Sequence, residues 1–229
     1  MKLKYQHVLI IPDGNRRWAK LRGLSYEDTY QLVARKTSPD LIRFFLIEGR
    51  AKEFTLFFIS RYNVIKRDYG SELKPIFEAQ AGALNTWSQN AEFQKAKIKF
   101  NVMGDLSLLP KYYLDAIKKI TKATKKFKGP VCNILVAYDG EWELMKAFDA
   151  VCRLKARMTE KAVRKHLLLK KDIDLVIRSG YEKRLSGCPL LQIKYAELFF
   201  LDLFYPELTP DHLLRVLKVS EMRSRRFGA

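Results

Sequence analysis

His7-Val8-Leu9-Ile10-Ile11-Pro12-Asp13-Gly14-Asn15-Arg16-Arg17-Trp18 is the stretch on which the fold turns. His7 to Ile11 is an almost unbroken apolar run of strand length, the pattern of a strand covered on both faces rather than one. Pro12 cannot donate to a sheet ladder, and Asp13-Gly14 is a turn pair, so the strand ends there. Asn15 to about Leu21 can then open a helix. A buried strand passing straight into a helix begins a crossover unit, the connection that parallel strands require.

The same alternation continues outward from this point. Ser25-Tyr26-Glu27-Asp28 resembles a capping arrangement for a second helix, and Ser38-Pro39-Asp40 reads as a further helix start, with the helix behind it stopping at Gly49. Strands are expected at 54–60, 97–103, 131–138, 173–178 and 198–201, with helices at 71–90, 110–126, 140–155 and 210–225. Thr159 caps one more, ending near Leu169. The fold class is therefore α/β, a single domain over residues 1–229 with a mainly parallel central sheet flanked by helices. In such sheets ligands bind beyond the carboxyl ends of the strands. That rule gathers Pro12 to Asn15, Ser60 to Asn63 and Arg178-Ser179-Gly180 on one rim.

Composition narrows the function classes. The formal net charge of +18 attracts polyanions: nucleic acid, anionic lipid or diphosphates. The lysines are spread along the chain, and no zinc-finger spacing, RNP-like aromatic run or recognition-helix motif accompanies them, so nucleic acid is not the expected partner. Cys132, Cys152 and Cys188 are far apart and odd in number, which argues against a disulfide framework or a zinc site. No apolar run approaches the roughly 20 residues of a membrane span, and no leader pattern opens the chain, so the expected location is cytoplasmic, with peripheral approach to anionic membranes a further expectation.

Two clusters on the rim carry chemistry. Asp13-Gly14-Asn15-Arg16-Arg17 places exposed amides at a helix N-terminus beside two guanidinium forks, a setting for phosphate oxygens. A carboxylate within that positive nest makes sense if it holds a magnesium ion bridging to phosphate. Arg178-Ser179-Gly180-Tyr181-Glu182-Lys183-Arg184-Leu185-Ser186 supplies a second basic, glycine-containing segment after a strand. Each alone is as well explained by a basic turn. Together they describe an enzyme for two diphosphates.

Ile11 to Lys20 resembles the first motif of the cis-prenyltransferases, the undecaprenyl diphosphate synthase-like isoprenyl transferases. Asn101-Val102-Met103-Gly104-Asp105-Leu106, Asp174 to Gly180, Glu182 to Ser186, Gln192 to Leu198, Tyr205-Pro206 and Arg225-Arg226-Phe227-Gly228 are similar to later motifs, in order and at nearly matching spacing from His7 to Gly228. The resemblance implies transfer of the prenyl group of an allylic diphosphate onto isopentenyl diphosphate with Mg2+, extending the chain in cis. It implies Asp13, Asn63 and Ser60 as catalytic residues and Asp13 with Glu197 as metal ligands. Gly14, Asn15, Arg16, Arg17, Trp18 and Lys66 would contact the allylic diphosphate; Arg178, Arg184 and Ser186 would hold isopentenyl diphosphate, with Arg226 and Gly228 reaching across a homodimer. The strand 198–201 and a helix around Leu190 to Tyr195 are candidate interface elements.

Departures from the family pattern cluster on the allylic side. Tyr26 and Tyr30 stand where an arginine and a histidine are usual, and Ser60-Arg61-Tyr62-Asn63-Val64-Ile65-Lys66 lacks the usual glutamate, tryptophan and arginine. Arg16 and Arg61 are candidates to restore charge. Three alternatives stay open on these grounds: another acceptor such as an alcohol, a condensation that is not head-to-tail, or a non-catalytic subunit of a heteromeric enzyme. Phe77, Leu84 and Trp87 on the long helix could line a tunnel that sets product length, although their spacing suits ordinary core equally well.

Overall fold

The computed structural model describes residues 5–222. Its centre is a six-stranded sheet, β1 (His7–Ile11), β2 (Glu53–Ser60), β3 (Lys99–Met103), β4 (Val131–Tyr138), β5 (Leu175–Arg178) and β6 (Glu197–Phe200), ordered β3-β4-β2-β1-β5-β6. Every neighbouring pair is parallel. All crossovers therefore return to the same end, and the carboxyl ends of β1, β2 and β5 form one rim.

Alternate residues serve the two faces. Val8, Ile10, Phe54, Leu56, Ile134 and Ile177 face a large core shared with α2 (Tyr26–Leu32), α3 (Ser38–Ile42), α5 (Lys74–Trp87) and α7 (Lys111–Thr124). Leu9, Ile11, Leu135 and Val176 face a smaller one. Phe77, Leu84 and Trp87 are all buried in the first core. The remaining helices are α1 (Asn15–Arg22), α4 (Arg61–Lys66), α6 (Ala91–Lys95), α8 (Gly140–Arg153), α9 (Glu160–His166) and α10 (Pro210–Glu221). Among the described residues no helix is long and apolar enough to cross a membrane.

Two sequence expectations are corrected. Ser38 does not cap a new helix, because the chain is already helical when it enters α3 at Ser38. A π-helical turn at Val33–Thr37 precedes Pro39, and its wider loop tolerates a residue with no N–H to give. The Ser38 hydroxyl meets the Tyr205 hydroxyl (2.9 Å) instead of capping. Residues 191–195 form turns, not a helix. The short helices α4 and α6 are too brief to show a period in the sequence.

Candidate active site

The first strand-end turn is built by two glycines set back to back. Gly14 has φ +95°, and a Cβ there would fall 2.4 Å from the Phe204 ring and 3.2 Å from the Gly180 Cα. Gly180 has φ +94°, with Asp13 backbone 2.8 Å from where its own Cβ would be. The Asp13 amide donates to Ser179 Oγ (3.1 Å), and the Tyr205 amide donates to the Asp13 carbonyl (3.0 Å). The Asp13 carboxylate lies along the rim, its Oδ1 accepting from the Gly14 amide (2.6 Å) and its Oδ2 facing β5.

There Arg178, only 3% exposed, donates through Nη2 to Asp13 Oδ2 at 2.7 Å. Its other terminal nitrogen donates to Ser186 Oγ (2.8 Å) and to the Arg184 carbonyl. Arg17 donates to the Gly180 carbonyl (2.7 Å) and pairs with Glu182 (3.1 Å), whose second oxygen accepts from Arg184. Glu182 thus bridges the arginine of one cluster to an arginine of the other, a position that a phosphate would contest.

These groups line a cavity of about 710 Å³. Five arginines (Arg16, Arg17, Arg67, Arg178, Arg184) face it against three carboxylates (Asp13, Asp139, Glu182), which leaves a surplus of positive charge in a partly enclosed space. Two buried polar atoms in the surrounding wall, Arg178 Nε and Asn15 Oδ1, have no hydrogen-bond partner. Buried polar atoms are rarely left so, and here each is suited to a bound polar ligand.

Gly14, Asn15, Arg16, Arg17, Ser60 and Asn63 line this cavity together with Asp13, Arg178, Arg184 and Ser186. Ser60 caps α4, its hydroxyl accepting from the Asn63 amide at 3.1 Å. Other expected members are elsewhere. Trp18 points off the opposite side of α1, its indole N–H donating to Glu207 (3.1 Å). Lys66 is exposed and outside the cavity, and Arg61 is tied to Asp105 (3.0 Å). Arg226 and Gly228 lie outside the described residues.

Glu197 is placed apart from this cluster. It opens β6 opposite Leu175, whereas Arg178 lies opposite Phe200. Three residues of strand, at roughly 3.3 Å each, put Glu197 about 10 Å down the sheet toward its amino end. Within one chain it does not join Asp13.

Arg67 was missed. The Asp68 side chain accepts from the Ser71 amide (2.8 Å) and starts a new helical turn, so α4 must end at Lys66 and Arg67 becomes extended (φ −87°, ψ 150°). That turns its guanidinium into the cavity, close to the buried Tyr30 hydroxyl. Burial, with Arg16 nearby, lowers the Arg67 pKa; burial raises that of Tyr30. The signal was available in Asp68-Tyr69-Gly70-Ser71, a helix-capping spacing. Tyr26, by contrast, is exposed and outside the cavity.

A family model described as putative undecaprenyl diphosphate synthase matches residues 11–228. The chain belongs to the cis-prenyltransferase family. A tritrans,polycis-undecaprenyl-diphosphate synthase (geranylgeranyl-diphosphate specific) of Sulfurisphaera tokodaii is 34% identical over 98% of this chain and 88% of its own length. An isoprenyl transferase of Campylobacter jejuni is 30% identical, over 97% of this chain and 98% of the relative. Among solved structures, lavandulyl diphosphate synthase of Lavandula x intermedia, in complex with dimethylallyl diphosphate, superposes with TM-score 0.90 at 27% identity and covers 100% of both chains. This cis-prenyltransferase is accordingly an enzyme that transfers prenyl groups from an allylic diphosphate to isopentenyl diphosphate.

Proposed function

We propose that the two arginine clusters bind the two diphosphates of one cis-elongating condensation, and that Asp13 joins them. The supporting observation is the Asp13–Arg178 contact, which brings a carboxylate of the first cluster onto the buried guanidinium of the second. Gly14 to Arg17, together with Arg67, take the allylic diphosphate. Arg178, Arg184 and Ser186 take isopentenyl diphosphate.

In the reaction the allylic C–O bond breaks and its electron pair leaves with the diphosphate. The acceptor double bond forms the new C–C bond, and the acceptor loses a proton. Cationic side chains fixed in place stabilise the charge that accumulates on the departing diphosphate. Asp13 fits a magnesium ion: it is a hard oxygen donor, partly open to the cavity, and Mg2+ commonly takes one or two carboxylates and completes its shell with phosphate oxygens and water. When bound, the ion would neutralise the leaving diphosphate. Ser60 and Asn63 hold the reacting ends in register across the cavity.

A second copy of the chain is proposed as the partner. β6 is an edge strand carrying exposed Leu198, α8 exposes Met145 and Phe148, and Glu197 sits at that same edge. Pairing across it would give Glu197 a route to a neighbouring site that its own chain denies it. A cytoplasmic, membrane-peripheral location remains part of the same proposal.

Release of diphosphate from allylic donors, with isopentenyl diphosphate and Mg2+, tests the assignment in the purified protein. Asp13→Ala should lower kcat by about 10²–10³, the usual cost of removing one group that stabilises developing charge. An unchanged rate would refute the role of Asp13.

A further inference from the structure

Three carboxylates line the diphosphate cavity, and two of them are committed to guanidinium groups. Asp13 pairs with Arg178 and Arg17, and Glu182 pairs with Arg17 and Arg184. Asp139 pairs with no cation among the described residues. It follows β4 and caps α8, its Oδ1 accepting from the Glu141 and Trp142 amides, both at 3.0 Å. Two amides on one oxygen hold the carboxylate in place and leave Oδ2 without a hydrogen bond to the described residues.

The loop after β5 is folded onto this second oxygen. Ser186 (φ +50°) and Gly187 (φ +76°) both lie in the left-handed region, and the Gly187 carbonyl accepts from the Gly140 amide at 2.9 Å. A Cβ at residue 187 would fall 2.5 Å from Asp139 Oδ2, so glycine there keeps the oxygen uncovered. Ser186, the residue before it, accepts from Arg178 at 2.8 Å. Asp139 Oδ2 therefore lies beside the loop that would grip isopentenyl diphosphate. Asp13 belongs to another part of the rim. β2 stands between β1 and β4, and at about 4.8 Å per strand the ends that carry the two carboxylates are roughly 10 Å apart.

The condensation needs a base at such a place. When the acceptor double bond attacks the allylic carbon, the acceptor is left as a tertiary carbocation. It is quenched by loss of a proton from the carbon next to the one that bears the diphosphate, and the electrons of that C–H bond become the new double bond. The base must therefore sit near the acceptor's own diphosphate. A carboxylate already paired with arginine is a poorer choice, because its lone pairs are engaged.

We infer that Asp139 is the catalytic base of this reaction and takes that proton on Oδ2. The inference rests on the prenyl-transfer reading above. The proton passes from Asp139 to water as the products leave.

Asp139→Asn and Asp139→Ser test the role, because each keeps an oxygen to cap α8 and neither offers a base. Diphosphate release is followed from a panel of allylic donors with isopentenyl diphosphate and Mg2+. Both variants should lose about 10²–10³ in kcat, within the range that a positioned general base contributes. KM for isopentenyl diphosphate should stay within about threefold, since Arg178, Arg184 and Ser186 are untouched. Both should unfold at the wild-type urea concentration. Deuterium at the departing position should slow the variants more than the wild type, because proton removal has become limiting, and added formate should restore part of the rate of Asp139→Ser. A kcat within about twofold of wild type in either folded variant would overturn the inference, as would a loss of rate with no increase in the isotope effect. Absence of diphosphate release from the wild type would fault the prenyl-transfer reading itself, and the role of Asp139 with it.

Discussion

Arg67 and Lys66 are adjacent, both are cations, and they end on opposite sides of the cavity wall because α4 stops between them. Arg67→Ala should raise KM for the allylic donor at least tenfold with a smaller change in kcat, the loss expected of a charge-assisted hydrogen bond to phosphate. Lys66→Ala should leave both constants within about twofold, since exposed lysines outside a site contribute little. Steady-state kinetics on the pair decides between them, and equal losses would mean that α4 ends elsewhere. Gly14 poses a stability question at the same scale. Its positive φ and the Phe204 ring, 2.4 Å from where a Cβ would sit, predict that Gly14→Ala destabilises by about 2–4 kcal/mol, as strain and overpacking add. Chemical denaturation measures this directly, and a loss under about 0.5 kcal/mol would show that the turn relaxes.

The strands are held together at their amino ends by a buried polar chain remote from the catalytic rim. His7 on β1 meets Thr55 Oγ1 on β2 (2.7 Å), and Asn133 on β4 donates to Thr55 (3.3 Å) and to Glu53 (2.7 Å). Asn101 on β3 donates to Asn133 at 3.0 Å. Burial lowers the His7 pKa below its ordinary 6.5. The unfolded chain therefore takes up a proton at His7 before the folded one does, and stability falls as pH drops below about 6.5 until the folded pKa is reached. Glu53 titrates lower: burial alone would raise its pKa, but His7, Lys171 and Asn133 outweigh this. Its contribution is lost only below its ordinary 4.5, so the interval between about 6.5 and 5 reports on His7. His7→Gln should flatten the stability profile there, as read from urea unfolding at several pH values. A slope unchanged by the substitution would remove His7 from the account.

At the scale of the molecule, the edge strand β6 and the outer face of α8 are the expected seat of a two-fold dimer, the commonest closed assembly. Phe148→Asp combined with Met145→Asp should convert a dimer to a monomer in analytical ultracentrifugation, because charge would then enter an apolar contact. A wild-type protein that sediments as a monomer at micromolar concentration would contradict the arrangement and leave Glu197 with no route to a metal. The strongly positive surface does not bear on the fold, but it should make recruitment to anionic vesicles fall as salt is raised.

What was legible in advance followed from local rules. A strand-length run, apolar from Val8 and ending at Pro12-Asp13-Gly14, admits few conformations, and β1 runs from His7 to Ile11 as read. Strand–helix alternation leaves little choice but a parallel sheet, and that in turn places Asp13, Ser60 and Arg178 at one end. Residue types therefore pointed to the proposed chemistry: a basic rim suited to phosphate, with Asp13 central to it. The tertiary structure alone decided which neighbours share a site. Register along β5 and β6 put Glu197 on the far end, and the end of α4 put Arg67 rather than Lys66 at the cavity. Each of these depends on the mutual position of segments distant in the chain, which no window of sequence contains.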